Sequence, residues 1–122
     1  LNLKKQGDMI ASQIIKNLSE KDLYKFIEIL YKTKNINMAN IAVKRYLDIN
    51  IINPNKYTDI AHLQLLMNKK NDMYLTLNRY INEIGNTARE TIRNDARFET
   101  IRNELRYKQL LKNYFNNKSY SF

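Results

Sequence analysis

The chain has 122 residues, no cysteine, two glycines and one proline, with 43% hydrophobic and 27% charged residues and a formal net charge of +9. That length bounds one domain with a core of its own, and the balance of apolar and charged residues is that of a folding chain rather than a disordered one. Without cysteine there is no disulfide, thiolate metal site or cysteine nucleophile, and so few glycines and prolines starve a β-sandwich or barrel of turns, which leaves an all-α fold.

The positive charge suits acidic proteins, anionic lipids or nucleic acid without choosing among them. Part of it has another source, because Asn, Ile, Lys and Tyr are abundant together, as AT-rich codons make them. An AT-rich, bacterial genome would raise Lys with no partner selecting for it. No apolar run reaches the roughly 18 to 20 residues of a membrane span. The chain opens on Leu1 rather than Met, as a fragment or processed form would. A signal or anchor upstream would then be invisible, and a cytoplasmic or envelope-associated location stays open.

Taken in order, residues 8–18 place Met9, Ile10, Ile14 and Leu18 on one side of a helix, with Asp8 as its N-cap after Gly7. This helix reads as the second half of a degenerate unit or as an N-terminal cap. Ser19-Glu20-Lys21-Asp22 has the form of a capping box, and a helix from about Lys21 to Lys34 carries Leu23, Phe26, Ile27 and Leu30. Asn35-Ile36-Asn37 is the expected break. A helix from about Met38 to Asn50 presents Ala42, Val43, Tyr46 and Leu47 and stops before Asn53-Pro54-Asn55. The plan then repeats: a helix from about Thr58 to Asn68, a turn at Lys69-Lys70-Asn71-Asp72, and a helix from about Asp72 to Ile84 closed by a left-handed Gly85.

The repetition has a fixed offset of 34 residues. Ile41-Ala42-Val43-Lys44-Arg45-Tyr46-Leu47 returns as Leu75-Thr76-Leu77-Asn78-Arg79-Tyr80-Ile81, with Asn37 matching Asn71, Phe26 matching Ile60 and Ile29 matching Leu63. A helical repeat of this length is one helix-turn-helix unit, too small to bury its own apolar face, so neighbouring units stack. Beyond it a nine-residue echo, Arg93 to Ile101 and Arg102 to Leu110, reads as one element written twice. There Phe98, Ile101, Leu105, Leu110 and Leu111 supply apolar surface for short helices against the second unit. The expectation is a single helical domain over 1–122, with an N-terminal helix at 8–20, units at 22–55 and 56–89, capping helices at 90–115 and a frayed tail at 116–122.

Phe26-x2-Ile29-Leu30-x2-Thr33 followed by Ala42-x3-Tyr46 and Pro54, and Ile60-x2-Leu63-Gln64-x2-Met67 followed by Thr76-x3-Tyr80, resemble the spacing of the tetratricopeptide repeat. Arg93-Asn94-Asp95-Ala96-Arg97-Phe98 is similar to segments that close such arrays. The resemblance implies antiparallel helical hairpins stacked as a short array whose first helices line a concave groove for a partner peptide. By position that groove would comprise Tyr24, Ile27, Glu28, Tyr31, Lys34 and Asn35, then Thr58, Ala61, His62, Leu65, Asn68 and Lys69. Core packing is the competing reading for Ile27, Ala61 and Leu65.

Catalytic constellations are missing from this pattern. His62 is the single histidine, without the companions that a catalytic or zinc-binding histidine needs. Glu90 with Arg93, Glu99 with Arg102 and Glu104 with Lys108 are spaced as solvent-face helical pairs, and Gly7 and Gly85 are too isolated for a phosphate loop. Arg89, Arg93 and Arg97 would form one ridge on a continuous helix, extended by Arg102 and Arg106. The sequence therefore leads to a non-catalytic protein-protein interaction module without cofactor or metal, whose partner offers an acidic or amphipathic segment. The alternatives are nucleic-acid or polyanion binding through the arginine ridge, and homo-oligomerisation through the open end of the second unit with Tyr114 or Phe115.

Overall fold

A computed structural model describes the backbone at 3–49 and 53–119 and, within these, the side chains at 9–10, 12–49 and 53–112. Every element among the described residues is helical, so the fold is all-α: α1 (Leu3–Asn17), α2 (Glu20–Lys32), α3 (Ile36–Asp48), α4 (Lys56–Leu66), α5 (Lys70–Ile84), α6 (Asn86–Asn94), a 3-10 helix (Ala96–Ile101) and α7 (Leu105–Ser119). The chain forms two compact units, Leu1–Lys56 and Tyr57–Phe122.

In the first unit α1 and α2 both pack on α3. The α2 stripe sinks Leu23, Ile27, Leu30 and Tyr31, and α3 answers with Met38, Ala39, Ala42, Val43, Tyr46 and Leu47. Each large apolar side chain so buried contributes about 1.5–3 kcal/mol of transfer free energy. Ser19 caps α2, its Oγ accepting from the Asp22 N–H at 3.3 Å. At the end of α3, the Lys56 ammonium donates to the carbonyls of Leu47 at 2.8 Å and Ile49 at 3.5 Å. This places a cation on the helix's negative pole.

α1 departs from its expectation twice. It begins at Leu3, so Asp8 lies within the helix and not at its N-cap. The expected stripe also points outward, with Met9, Ile10 and Ile14 exposed, Leu18 half-buried and Ile15 buried instead. Ile15 is one step around the helix from Ile14, and that step decides which isoleucine meets the core.

The two interhelical turns are the same structure built twice, 34 residues apart. Lys34 and Asn68 both adopt φ 61°. Around them the N–H of Thr33 bonds to the Ile29 carbonyl (2.9 Å), that of Lys34 to Tyr31 (3.0 Å) and that of Asn35 to Leu30 (2.9 Å), and these return as Met67 to Leu63 (3.0 Å), Asn68 to Leu65 (3.0 Å) and Lys69 to Gln64 (2.8 Å). This is the Schellman closure, in which one left-handed residue lets the last carbonyls find partners. The following helices start at once, through Ala39 N–H to Asn35 and Met73 N–H to Lys69. Hence α2 and α4 end, and α3 and α5 begin, two residues before the expected positions: the breaks are Thr33-Lys34-Asn35 and Met67-Asn68-Lys69. α3 is helical only to Asp48, and the expected end at Asn50 lies outside the described residues. α4 starts at Lys56, after Asn53 accepts the Asn55 N–H at 2.9 Å in a side-chain turn.

In the second unit α4 buries Tyr57, Thr58, Ile60, Ala61, Leu63 and Gln64, and α5 buries Met73, Tyr74, Thr76, Leu77, Tyr80 and Ile81. Where the first unit has Leu30 and Ala42, the second has Gln64 and Thr76, joined by a buried hydrogen bond from the Thr76 hydroxyl at 2.7 Å. Gly85 alone separates α5 from α6. Its φ 87°, ψ −143° is not the left-handed helical conformation expected but a more extended one open to glycine, and a Cβ there would meet nothing within 4 Å. Conformation, not space, requires glycine. α6 packs on α5, and the 3-10 helix and α7 pack on α6.

The nine-residue echo is not one element written twice. Its first copy closes α6 and runs into the 3-10 helix, and its second opens α7. What the copies share is burial: Phe98 with Tyr107, and Ile101 with Leu110, are buried, Leu111 joins them, and Leu105 is exposed. The tail expected to fray from 116 is helical to Ser119, and 120–122 lie outside the described residues.

Candidate functional site

The residues assigned to a groove divide between surface and core. In α2, Ile27 and Tyr31 are buried and cannot line a surface, because the stripe extends to Tyr31 one turn beyond Ile27. Tyr24 is half-buried, its ring 5.8 Å from that of Tyr46 at 54°. Glu28 is half-buried beside Lys32 at 3.6 Å, Asn35 is half-buried and Lys34 exposed. In α4, Thr58 and Ala61 are buried, since this helix is enclosed around much of its girth, whereas His62, Leu65 and Lys69 are half-buried and Asn68 is exposed.

His62 and Arg97, assigned to different surfaces by the sequence, meet in one charged cluster. Arg97 reaches Asp59 of α4 (Nη1 to Oδ1, 2.8 Å) and grips Asp95 through Nε at 3.0 and 3.2 Å and through Nη2 at 2.8 Å. Those bonds hold the Asp95 carboxyl below the usual carboxylate range and raise the Arg97 guanidinium. Burial, and then the Arg97 charge, lower the His62 imidazole from its ordinary 6.5, although Asp95 and Asp59 pull the other way.

The arginine ridge does not form. α6 ends at Asn94 because Asp95 turns to φ −87°, ψ 108° and caps the 3-10 helix, its Oδ1 accepting from the Arg97 N–H at 3.0 Å. The arginines then diverge. Arg89 is buried, its Nε donating to the Leu110 carbonyl at 3.3 Å, and Arg102 Nη2 donates to the Asp95 carbonyl at 3.3 Å. Arg106 lies 4.5 Å over the Tyr74 ring and bonds Asn71 at 2.6 Å. Arg93 is exposed near the end of α6.

Two tyrosine sites escaped sequence reasoning. Tyr57 stacks on Tyr80 at 4.9 Å and donates its hydroxyl to Glu83, which Arg79 also holds at 2.9 Å. Burial and the Glu83 carboxylate push the Tyr57 hydroxyl up to about 12. Tyr74 donates to Glu104 at 2.8 Å, and burial with that carboxylate raises its hydroxyl too. Glu104, expected beside Lys108, pairs instead with Lys70 and Tyr74, whose hydrogen bonds keep its carboxyl low. These partners stand 26 to 34 positions apart, beyond any periodicity along one helix. An open pocket of about 160 Å³ lies beside this cluster between Tyr74, Asn78, Arg106, Gln109 and Leu110.

The first unit carries the larger feature, an open depression of about 370 Å³ lined by Met9, Ser12, Gln13 and Lys16 of α1 and by Asn37, Met38 and Ile41 of α3. Met38 is buried at 1% exposure, and Met9 and Ile41 stand at 59% and 47%. Of the apolar stripe expected on α1, Met9 alone lines the depression.

Among the described residues no group of three or more His, Cys, Asp or Glu side chains could hold a metal ion, and no helix is long and apolar enough to cross a membrane. Tyr114 and Phe115, the residues considered for self-pairing, lie outside the described side chains. No protein-family model matches this chain, and no curated protein or solved structure matches it at a significant level.

Proposed function

We propose that this chain is a non-catalytic protein-protein interaction module, a divergent tetratricopeptide-like pair of helical hairpins that presents a fixed basic surface to a partner protein. The observation that supports this reading is the interhelical turn repeated bond for bond at an offset of 34 residues, with φ 61° at Lys34 and again at Asn68. Helical hairpins repeated at a fixed offset are the units that stack into extended binding surfaces in repeat proteins. The chemistry of the charged side chains agrees with it. The single histidine sits among Asp59, Asp95 and Arg97 rather than against a nucleophile, and Arg97, Arg102 and Arg106 spend donors on contacts within the fold.

Binding would draw on preformed helices, so little ordering cost is met on docking, and complementary charge would set orientation and association rate. Charge reversals at two surface positions, Glu28→Lys in the first unit and Lys69→Glu in the second, test this directly. Both are expected to leave the circular dichroism unchanged; Lys69→Glu should weaken capture of the partner from source-cell lysate at least tenfold, and Glu28→Lys, which adds to the basic field, should strengthen it. Unchanged capture by both variants contradicts the assignment of these helices to the binding face.

A further inference from the structure

We infer that the depression between α1 and α3 is a docking groove for an amphipathic helix of another protein, one that inserts an apolar stripe and sets an acidic residue against Lys16. This adds a second face to the one probed by Glu28 and Lys69 and rests on the reading of the chain as an interaction module.

Apolar surface is the first ground. Met9 and Ile41, both exposed, flank a floor made by the buried Met38. Contact with water is unfavourable for such surface, and burial against a partner relieves it. Exposed apolar side chains gathered at a recess with a polar rim have the composition of an interaction site. Shape is the second, since a trough between two packed helices is the seat used in helix-in-groove recognition, where anchors recur at i, i+3, i+4 and i+7. Methionine on both floor and wall suits that role, because an unbranched thioether repacks around different anchors.

Charge selects the occupant. Lys16 is the charged residue lining the depression, and residues 1–56 carry ten Lys and Arg against five Asp and Glu. A helix with Glu or Asp beside its apolar stripe complements that field, whereas a second copy of this chain brings like charge to the same place. A lipid surface would touch the raised rim, but a flat bilayer leaves the recessed Met38 and the hydrogen-bonding Ser12, Gln13 and Asn37 unused.

The test titrates the full chain with a synthetic 16-residue helical peptide bearing a leucine stripe and flanking Glu, and with a twin carrying Lys in place of Glu. Vesicles of phosphatidylcholine and phosphatidylglycerol form a third arm. The groove predicts that the Glu peptide shifts the methyl resonances of Met9 and Met38 and binds at least tenfold tighter than its twin. Met9→Ser combined with Ile41→Ser, both exposed and therefore neutral to folding, is expected to weaken it tenfold or more, and Lys16→Glu to invert the preference between the peptides. Equal binding by the double variant, shifts confined to Met67 and Met73, or binding to vesicles without binding to peptide would each overturn the groove. Shifts confined to Met67 and Met73 leave the interaction reading standing at another surface, whereas no capture of any lysate protein removes that reading itself.

Discussion

His62 links the charged cluster of the second unit to pH. Its folded pKa is lowered, mainly by burial and then by Arg97, with Asp95 and Asp59 opposing, so the folded state resists the proton that the unfolded chain accepts near 6.5. Stability is thus full above that value and erodes as the pH falls through it toward the lower folded value. Asp95 is also lowered, and its contribution, present above the ordinary carboxylate value, is lost further down as the pH falls through its folded value. Urea unfolding of His62→Gln followed from pH 7 down to about pH 2 should show the upper loss flattened and the lower one retained. An unaltered profile would separate His62 from the cluster. Tyr107 is a sharper case, for its hydroxyl is buried without a partner among the described residues and burial raises its pKa. An unsatisfied buried hydroxyl costs about 1–3 kcal/mol, so Tyr107→Phe should leave stability unchanged or raise it, and a loss above about 1 kcal/mol would mean the hydroxyl has a bonding role.

At the scale of elements, the helices were legible because apolar residues recur at helical spacing over more than ten residues, while their ends were not. Lys34 and Asn68 occupy the left-handed position that glycine favours, and nothing in a lysine announces that it closes a helix. The consequence is measurable. Lys34→Gly should stabilise by roughly 0.5–1 kcal/mol, as relief of left-handed strain exceeds the added chain entropy. Asn68→Gly should be close to neutral because asparagine tolerates that conformation. Equal effects at both would argue against a common turn. Gly85→Ala should instead cost about 1–3 kcal/mol in urea unfolding, since φ 87° with ψ −143° strains any side chain even in open space. The arginine ridge failed for a related reason: Asp95 both caps the 3-10 helix and ends α6, which a spacing argument that assumes one continuous helix overlooks. Glu104 chose Lys70 and Tyr74 over Lys108 through packing that no local pattern encodes.

For the whole molecule, the 34-residue offset was visible in the sequence and returns in backbone hydrogen bonds, whereas the outward face of α1 turned on one step around a helix, Ile15 in place of Ile14. The candidate surface was therefore legible in part: Glu28, His62, Leu65 and Asn68 retain exposure, while Ile27, Tyr31 and Thr58 belong to the core. A net charge of +9 leaves protein and polyanion partners to be told apart by their response to salt, because phosphate contacts release counterions and weaken steeply as salt rises. The decisive measurement is affinity capture from source-cell lysate with the whole chain as bait, run with and without nuclease and at 50 and 200 mM salt. An interaction module predicts one protein partner, retained after nuclease at both salt concentrations, with at most a modest loss at the higher; recovery that vanishes with nuclease would contradict it and assign the basic surface to nucleic acid.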